Sequence, residues 1–316
     1  MALLQVKNIS KKVEDNLIID DISFEQQALK KIAIAGESGS GKTTLLKMIT
    51  GHVQPTSGTI LFEGKRVIGP EEKLLPGHKH IAYLSQHYEL LNHYRVEELI
   101  WFENKLDEAA AKQLFEICRI NHLLQRKTNH LSGGEKQRIA LCMLLVKQPK
   151  LLVLDEPFSN LDPIHTDTLK AVLDDITERL KITCTLTSHD PHDTLSWADE
   201  ILVIKDGRLL QHGSPQELYN KPINEYVAGL FGKYNLLKPH IAALFGIESN
   251  GNEVMTRPEH FSIYKTGSGV NGIITKISFW GSFYEAEVMV NDEKIIVRTS
   301  MKELKPGEKV FVSVNK

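Results

Sequence analysis

The sequence has no apolar run long enough to cross a membrane as a helix. Its longest uninterrupted apolar stretch covers residues 139–146, whereas a membrane-spanning helix needs about 20 residues. Residues 1–7 lack the basic start and long apolar core of a secretory signal. We therefore expect neither a transmembrane helix nor a cleaved leader.

Cysteine is scarce, with Cys118, Cys142 and Cys184 far apart and no Cys-x-x-Cys spacing. This pattern excludes a disulfide scaffold and argues against a cysteine metal site. We interpret the three residues as small core side chains of a protein in a reducing compartment.

An excess of charge of either sign is also missing, because 38 basic and 40 acidic side chains leave a formal net charge of −2. The charge gives no reason to expect nucleic acid as a partner. The 316 residues, 41% hydrophobic and 25% charged, are ordinary for a globular protein. They suffice for one large domain and a smaller one.

Up to about residue 235, strand-like and helix-like segments alternate. Buried strands are predicted at 32–35, 81–85, 151–155 and 182–187, and helices at 44–49, 108–118, 134–147 and 163–180. This alternation predicts an α/β domain with a mostly parallel sheet. Alternating segments at 5–9 and 22–25 indicate an antiparallel flank, and Asp206-Gly207 predicts a hairpin.

Beyond residue 235 the pattern changes to short strands at 270–277, 284–290 and 294–298. Gly281-Ser282 and Asn291-Asp292 fall between them. This spacing predicts a small all-β barrel or sandwich, and we take the barrel as the fold class. We therefore place two domains at 1–235 and 236–316.

The stretch Gly36-Glu37-Ser38-Gly39-Ser40-Gly41-Lys42-Thr43 fits G-x-x-x-x-G-K-[ST], a phosphate-binding loop. It lies between a predicted strand and a predicted helix, which argues against a chance match by an ordinary turn. The glycines let successive N–H groups point inward, and the helix start adds positive charge. Lys42 would reach the β- and γ-phosphates, and the Thr43 hydroxyl would ligate Mg²⁺.

Two carboxylates end the predicted strand at 151–155. Asp155 would hold Mg²⁺ directly or through a water, because this ion prefers oxygen ligands. Glu156 could accept a proton from an attacking water or orient that water. Alone, such a strand end is as often structural, but the phosphate loop makes it a candidate site.

A second anion-binding helix start is predicted at Ser132-Gly133-Gly134, before a helical run from Glu135 to Val146. Small residues and a hydroxyl at a helix start leave N–H groups available to an anion. By itself the segment is better interpreted as an ordinary capped helix, but it lies between the phosphate loop and the Asp155-Glu156 strand end.

In this order the motifs resemble those of the ATP-binding subunit of an ABC transporter. Gly36–Thr44 resembles the Walker A motif, Leu151–Glu156 the Walker B motif and Leu131–Glu135 the ABC signature. The remaining matches are a Q-loop glutamine at Gln86, a D-loop at Ser159–Asp162 and a switch histidine at His189. The resemblance covers about residues 1–235 and implies a P-loop NTPase fold with a helical subdomain at about 87–132.

The resemblance implies an ATPase in which two copies of the chain sandwich two ATP molecules head to tail. The cofactors would be ATP and Mg²⁺, with Thr43, Gln86 and Asp155 at the metal and Glu156, His189 and Gln86 catalytic. Each ATP would contact Gly36, Glu37, Ser38, Gly39, Ser40, Gly41, Lys42, Thr43 and Thr44 of one copy. The partner copy would add Ser132, Gly133, Gly134 and Glu135, and Asp162 would link the two sites.

The resemblance also implies partners. Integral membrane permease subunits would dock on the helical subdomain, for which Tyr94 and Trp101 are candidates. Arg257-Pro258-Glu259 is similar to an element of the TOBE domain, which import ATPases for polyamines, ferric iron, molybdate, sulfate and sugars carry. We therefore expect an importer at the cytoplasmic face of a membrane, an extracytoplasmic substrate-binding protein and no nucleic acid. The TOBE-like domain would support the dimer or sense a ligand.

The sequence departs from the family pattern at Val13, where an aromatic residue usually stacks on adenine. We expect weaker contact with the base.

Two other functions have to be weighed, a soluble ABC protein acting on DNA or ribosomes and a nucleotide-gated regulator. The first would show long coiled-coil insertions or two ATP domains, and the second conflicts with intact Glu156, His189 and Gln86.

Overall fold

The chain forms two compact units, Met1–Pro215 and Gln216–Lys316, in a computed structural model that describes residues 2–86, 89–159 and 161–315. Each unit has its own hydrophobic core. Among the described residues, no helix is both long and apolar enough to cross a bilayer.

The strands of the first unit belong to two sheets. In chain order they are β1 (Ala2–Val13), β2 (Asn16–Gln27), β3 (Ile32–Ala35), β4 (Ser57–Phe62), β5 (Lys65–Arg66), β6 (Ile81–Leu84), β7 (Leu151–Leu154), β8 (Thr183–Ser188), β9 (Glu200–Lys205) and β10 (Arg208–Gly213). One sheet has the order β2-β1-β4-β5 and is antiparallel. The other has the order β10-β9-β3-β8-β7-β6, and only its β9–β10 pair is antiparallel. The predicted parallel sheet and antiparallel flank are confirmed.

The inner strands β3 and β7 are buried along their whole length. A parallel strand covered on both faces reads as a continuous apolar run, which explains the sequences Ile-Ala-Ile-Ala and Leu-Leu-Val-Leu. Cys118, Cys142 and Cys184 are free and buried, as predicted for core side chains. Burial raises the pKa of Cys184 to about 12 and keeps it a thiol.

The helices of the first unit cover the parallel sheet and build the helical subdomain. They are α1 (Lys42–Ile49), α2 (Val96–Glu103), α3 (Glu108–Ile117), α4 (Gly133–Leu145), α5 (Pro163–Arg179) and α6 (Pro191–Trp197). In helix α5 the sequence determines both where the helix starts and which face is buried. Asp162 caps its start and Pro163 is its first residue, an arrangement that favours a helix N-terminus. Its apolar stripe, buried at helical spacing, is Leu169, Val172, Leu173 and Ile176.

The second unit combines three short helices with β-structure. Its helices are α7 (Pro215–Asn220), which begins at the unit boundary, α8 (Glu225–Leu230) and α9 (Pro239–Leu244). Its strands are β11 (Asn235–Leu237), β12 (Val254–Thr256), β13 (Phe261–Tyr264), β14 (Val270–Phe279), β15 (Tyr284–Val290), β16 (Glu293–Thr299) and β17 (Lys309–Val314).

Five of these strands form one curled antiparallel sheet in the order β13-β17-β14-β15-β16. Its end strands β13 and β16 also approach each other, so the sheet is a half-barrel, in agreement with the predicted small β-domain. Its inward side chains form the core of this unit, among them Ile274, Ala286, Val288, Ile295 and Val312.

Arg257 connects the helical and β parts of the second unit. Its side chain is 2% exposed and donates hydrogen bonds to the carbonyls of Tyr219, Ala228, Gly232 and Lys233 at 2.9–3.1 Å. Its guanidinium also lies 4.1 Å from the centre of the Tyr219 ring. Residues 216–235 thus pack as part of the second unit, while the domain boundary at residue 235 stays a prediction.

Candidate nucleotide site

The predicted site segments leave the parallel sheet at one edge. Strands β3, β8, β7 and β6 are neighbours in that order, and parallel pairing brings their carboxyl ends to the same side. The segments that follow these strands begin at Gly36, His189, Asp155 and Ser85. Crevices at the carboxyl edge of an open α/β sheet are where such folds bind ligands.

At two positions of the phosphate loop, both the backbone angle and a close neighbour require glycine. Gly36 has φ 155° and Gly41 has φ 100°, values that favour glycine. A Cβ on Gly36 would lie 2.2 Å from the Ile204 carbonyl, and one on Gly41 would lie 2.7 Å from the Ile19 side chain. Within the described residues the buried Ser40 hydroxyl has no hydrogen-bond partner. A cradle of this kind at the start of α1 fits a phosphate group.

Lys42 holds its charge inside the loop. Its side chain is 5% exposed, and Nζ donates to the carbonyls of Gly36 at 2.8 Å and Glu37 at 2.9 Å. Burial lowers the Lys42 pKa, while the negative charges of Glu156 and Asp155 act against that shift. The ammonium group is therefore placed to meet an anion.

Three hydroxyl groups surround the buried carboxylate of Asp155. Thr43 Oγ1 lies 3.1 Å and Thr187 Oγ1 2.8 Å from Oδ1, and the Tyr83 hydroxyl lies 3.0 Å from Oδ2. Burial, followed by the Asp155 charge, raises the pKa of Tyr83. Thr43 and Asp155 were predicted from their motifs, whereas Tyr83 and Thr187 were not predicted. The available signal was that both are polar residues near the carboxyl ends of strands flanking Leu151–Leu154.

Glu156 brings the predicted catalytic residues together. Its Oε2 lies 3.5 Å from Gln86 Nε2, 3.2 Å from His189 Nδ1 and 2.8 Å from Ser159 Oγ. The Glu156 backbone is left-handed, with φ 47°, which is uncommon for a residue with a side chain. The Thr187 hydroxyl accepts the Glu156 N–H at 2.9 Å and supports this conformation.

The phosphate loop, Gln86 and Glu156 line one pocket together with Ile18. Ile18 belongs to no motif and was not predicted to lie there. Val13, which stands where the family has an aromatic residue, is 50% exposed at the end of β1 and pairs with Asn16 across the hairpin. Among the described residues that line this pocket, none belongs to the segment 132–135.

Ser132 and Glu135 form a capping box at the start of α4. The Ser132 hydroxyl accepts the Glu135 N–H at 3.3 Å, and the Glu135 carboxylate accepts the Ser132 N–H at 2.7 Å. Gly134 lies against His165, since a Cβ there would be 2.8 Å from the imidazole.

Asp162 is the N-cap of α5. Its two oxygens accept the His165 N–H at 2.9 Å and pair with His165 Nδ1 at 2.7 Å. These bonds lower the Asp162 pKa. Asn160 of the predicted D-loop lies outside the described residues, as do His87 and Tyr88.

Comparison with known proteins identifies the class. The ABC transporter family profile matches residues 19–159, and the TOBE domain profile matches residues 254–316. Among solved structures, the cbiO1 protein of Clostridium perfringens, part of an ABC transporter complex, is 27% identical with a TM-score of 0.62. That match covers 69% of this chain and 90% of the other. An ATP-binding cassette in its ADP conformation has the same fold at 24% identity and a TM-score of 0.62, over 73% of this chain and 98% of its own.

Curated relatives match nearly the whole chain. A ferric-iron import ATP-binding protein of Rhodococcus jostii is 31% identical over 98% of this chain and 96% of its own length. A sulfate/thiosulfate import ATP-binding protein of Synechocystis is 30% identical over 97% and 92%. A spermidine/putrescine import ATP-binding protein of Clostridioides difficile is 31% identical over 92% and 89%.

The chain therefore belongs to the ABC transporter family, as an ATP-hydrolysing subunit of the importer type with a C-terminal TOBE domain. The resemblance of its motifs to that family, the fold class and the predicted ATPase activity are confirmed. The roles of individual site residues stay predictions.

Proposed function

We propose that this chain binds MgATP between two copies of itself and uses closure and hydrolysis to drive a membrane permease. The proposal depends on one observation. The side chains of Gln86 and His189 both reach the same carboxylate oxygen of Glu156, beside the Lys42 ammonium. A cation for phosphate, a base for water and two polar sensors are the parts that ATP hydrolysis requires.

The binding roles follow from the groups present. The amides of Gly36–Thr44 and the Lys42 ammonium bind the phosphates. Thr43 and Asp155 offer neighbouring hard oxygen ligands, a set suited to Mg²⁺ held together with phosphate oxygens. Gln86, whose Nε2 lies 3.5 Å from Glu156 Oε2, would add a side-chain oxygen to this set. When bound, Mg²⁺ neutralises charge on the β- and γ-phosphates.

Glu156 acts on the attacking water. Its carboxylate accepts the proton or orients the water for in-line attack. His189, 3.2 Å from Glu156 Oε2, contacts the γ-phosphate and reports its presence. Gln86 senses both the metal and the water.

A second copy of the chain completes each site. The capped helix start at Ser132 belongs to no described wall of the nucleotide pocket, yet it has the form of an anion-binding N-terminus. Placed against the γ-phosphate of the partner's ATP, it excludes water and adds neutralising dipoles. Asp162, through its contacts with His165 beside Gly134, links the two sites.

The variant Glu156→Gln tests the assignment of the water-activating group. Without a base, hydrolysis should fall by about 100-fold or more, while nucleotide binding persists. Size-exclusion chromatography with light scattering should show an ATP-bound dimer that does not decay. Glu178→Gln, an exposed change on α5, is the matched control. Hydrolysis by Glu156→Gln at the wild-type rate would falsify the role of Glu156.

The helical subdomain is the proposed permease-docking surface. It exposes Leu91, Tyr94, Trp101 and Phe102, at 65%, 50%, 45% and 93%. Exposed aromatic residues that cluster on one subdomain are typical of interfaces. Trp101 also packs edge-on against Phe115, so part of this surface is fixed in place.

Phe102→Ser tests this surface with little risk to the fold, since the side chain is almost fully exposed. Purified from native membranes, the tagged wild-type chain should retain integral membrane subunits, and Phe102→Ser should lose most of them. Leu74→Ser, equally exposed at 96% but outside the helical subdomain, should retain them. Equal retention by all three proteins would argue against docking at this surface.

Permease binding would hold the chain at the cytoplasmic face of the membrane, and an extracytoplasmic binding protein would deliver the cargo. The three relatives are named for ferric iron, sulfate and polyamines at nearly equal identity. Similarity to this chain therefore does not separate such unlike cargoes, and the permease and binding protein make the selection. The TOBE domain acts mainly as a structural support of the dimer.

A further inference from the structure

Asp155 is held by more than the phosphate loop. Besides Thr43, it accepts hydrogen bonds from the Tyr83 hydroxyl on Oδ2 at 3.0 Å and from the Thr187 hydroxyl on Oδ1 at 2.8 Å. Asp155 is 3% and Thr187 0% exposed. A buried carboxylate tied at both oxygens has one defined orientation, since rotation about its last bond would break bonds on both sides.

The Thr187 hydroxyl acts as both a hydrogen-bond donor and an acceptor. It donates to Asp155 Oδ1 and accepts the backbone N–H of Glu156 at 2.9 Å. One hydroxyl has a single proton to donate, so these two contacts fix its direction. Thr187 thereby couples the orientation of the metal-binding carboxylate to the left-handed backbone of the adjacent Glu156.

Tyr83 approaches Asp155 from the neighbouring strand. Parallel pairing sets Tyr83 opposite Val153, and its half-buried ring is packed against the core of the first unit. The ring of His52 lies 5.4 Å from the Tyr83 ring. The phenol is thus held by packing on one side and by the carboxylate on the other.

We propose that Tyr83 and Thr187 are positioning residues that lock Asp155 for Mg²⁺ and so set the preference of the site for Mg²⁺ over Ca²⁺. This inference rests on the proposed role of Asp155 at the metal. Mg²⁺ demands near-ideal octahedral geometry, whereas Ca²⁺ accepts flexible coordination. A loosened Asp155 therefore costs Mg²⁺ binding more than Ca²⁺ binding. Outer-shell partners of metal ligands commonly change metal affinity by about 10–100-fold.

The test measures binding of a fluorescent, non-hydrolysable ATP analogue to the full chain in EDTA, Mg²⁺ and Ca²⁺. Tyr83→Phe and Thr187→Val should bind it as the wild type does in EDTA and about tenfold more weakly in Mg²⁺. In Ca²⁺ the loss should be smaller. Thr187→Ser keeps the hydroxyl, so its affinity for the analogue in Mg²⁺ should equal that of the wild type.

Two matched controls separate positioning from general damage. Thr185→Val makes the same change in the same buried strand, where the hydroxyl donates to Gln26 Oε1 at 2.7 Å and not to Asp155. Tyr219→Phe removes a phenol–carboxylate bond, to Glu259, in the second unit. Both should show wild-type affinity in all three solutions.

The outcomes distinguish this inference from the proposed function. If Asp155→Asn lowers affinity in Mg²⁺ but Tyr83→Phe and Thr187→Val do not, the positioning role is wrong and the site assignment stands. An equal loss for these variants in EDTA and in Mg²⁺ also overturns it. If Asp155→Asn has no effect in Mg²⁺, the assignment of Asp155 itself is wrong.

Discussion

At the scale of single residues, the site is built from side chains that share partners. Glu156 Oε2 is within hydrogen-bonding reach of three side chains, and Asp155 accepts from three hydroxyls. In such a network a substitution acts through its neighbours, so single deletions do not add up. The most informative substitutions are therefore those at the margin of the network, where one contact changes alone.

Val13 lies outside the network and does not line the pocket, so a substitution there changes one contact alone. Val13→Tyr should strengthen ATP binding, because base–aromatic stacking is worth about 1–3 kcal/mol, or roughly 5–150-fold in affinity. Leu17→Tyr on the facing strand is the matched control, since both side chains are 50% exposed. Equilibrium titration with ATP in EDTA isolates the base contact from the metal. Equal affinities for wild type and Val13→Tyr would show that adenine does not lie over this position.

The structure brings predicted site residues together where a motif fixes both the residue type and its place in the chain, while their roles stay predictions. Gly36, Lys42, Thr43 and Asp155 lie together as their spacing predicts. Thr187 was missed because its neighbours in sequence read only as a buried strand, and nothing local shows that its hydroxyl faces Asp155. The left-handed backbone of Glu156 is equally invisible, since it depends on a tertiary hydrogen bond.

At the scale of elements, turn and capping chemistry were readable from the sequence. Asp206 and Gly207 both have positive φ, as a two-residue hairpin loop requires, and Asn291-Asp292 repeats the arrangement between β15 and β16. The strand β17 was missed because its pairing with both β13 and β14 joins segments far apart in the sequence.

The start of α4 carries a prediction at this scale, because Ser132 caps the helix and also has a proposed role at the partner's ATP. Ser132→Asp keeps a good N-cap, so the free energy of unfolding should stay within about 0.5 kcal/mol of wild type. The new carboxylate would repel the γ-phosphate of the partner's ATP. ATP-dependent dimerisation should therefore be lost, while the monomer still binds ATP.

Asn224→Asp at the N-cap of α8 is the control for that experiment. Asn224 accepts the Val227 N–H at 3.0 Å, so the change adds the same charge to another capped helix, in the second unit. Dimerisation, followed by light scattering in a Glu156→Gln background, should be normal for this variant. A Ser132→Asp protein that still dimerises with ATP would show that the signature segment does not face the phosphate.

At the scale of the whole molecule, short sequence motifs predict the fold of the first unit better than that of the second. Motif spacing predicts the parallel sheet of the first unit well. In the second unit, Arg257 takes its partners from four carbonyls between Tyr219 and Lys233. No short motif marks those carbonyls, and the change in sequence pattern alone placed the predicted boundary at 235. The compact units divide after Pro215, and the boundary at 235 stays a prediction.

This difference predicts which fragments fold. A fragment of residues 216–316 keeps all four carbonyl partners of Arg257, whereas a fragment of residues 236–316 loses them together with the Tyr219 ring that stacks on the guanidinium. Hydrogen bonds to a charged group contribute about 1.5–3 kcal/mol each, and a whole domain has only about 5–15 kcal/mol of stability. The longer fragment should therefore unfold cooperatively in urea, followed by circular dichroism, and the shorter one should show no cooperative transition. Arg257→Met in the longer fragment should lower its midpoint strongly, and equal stability of the two fragments would place residues 216–235 outside the folding unit.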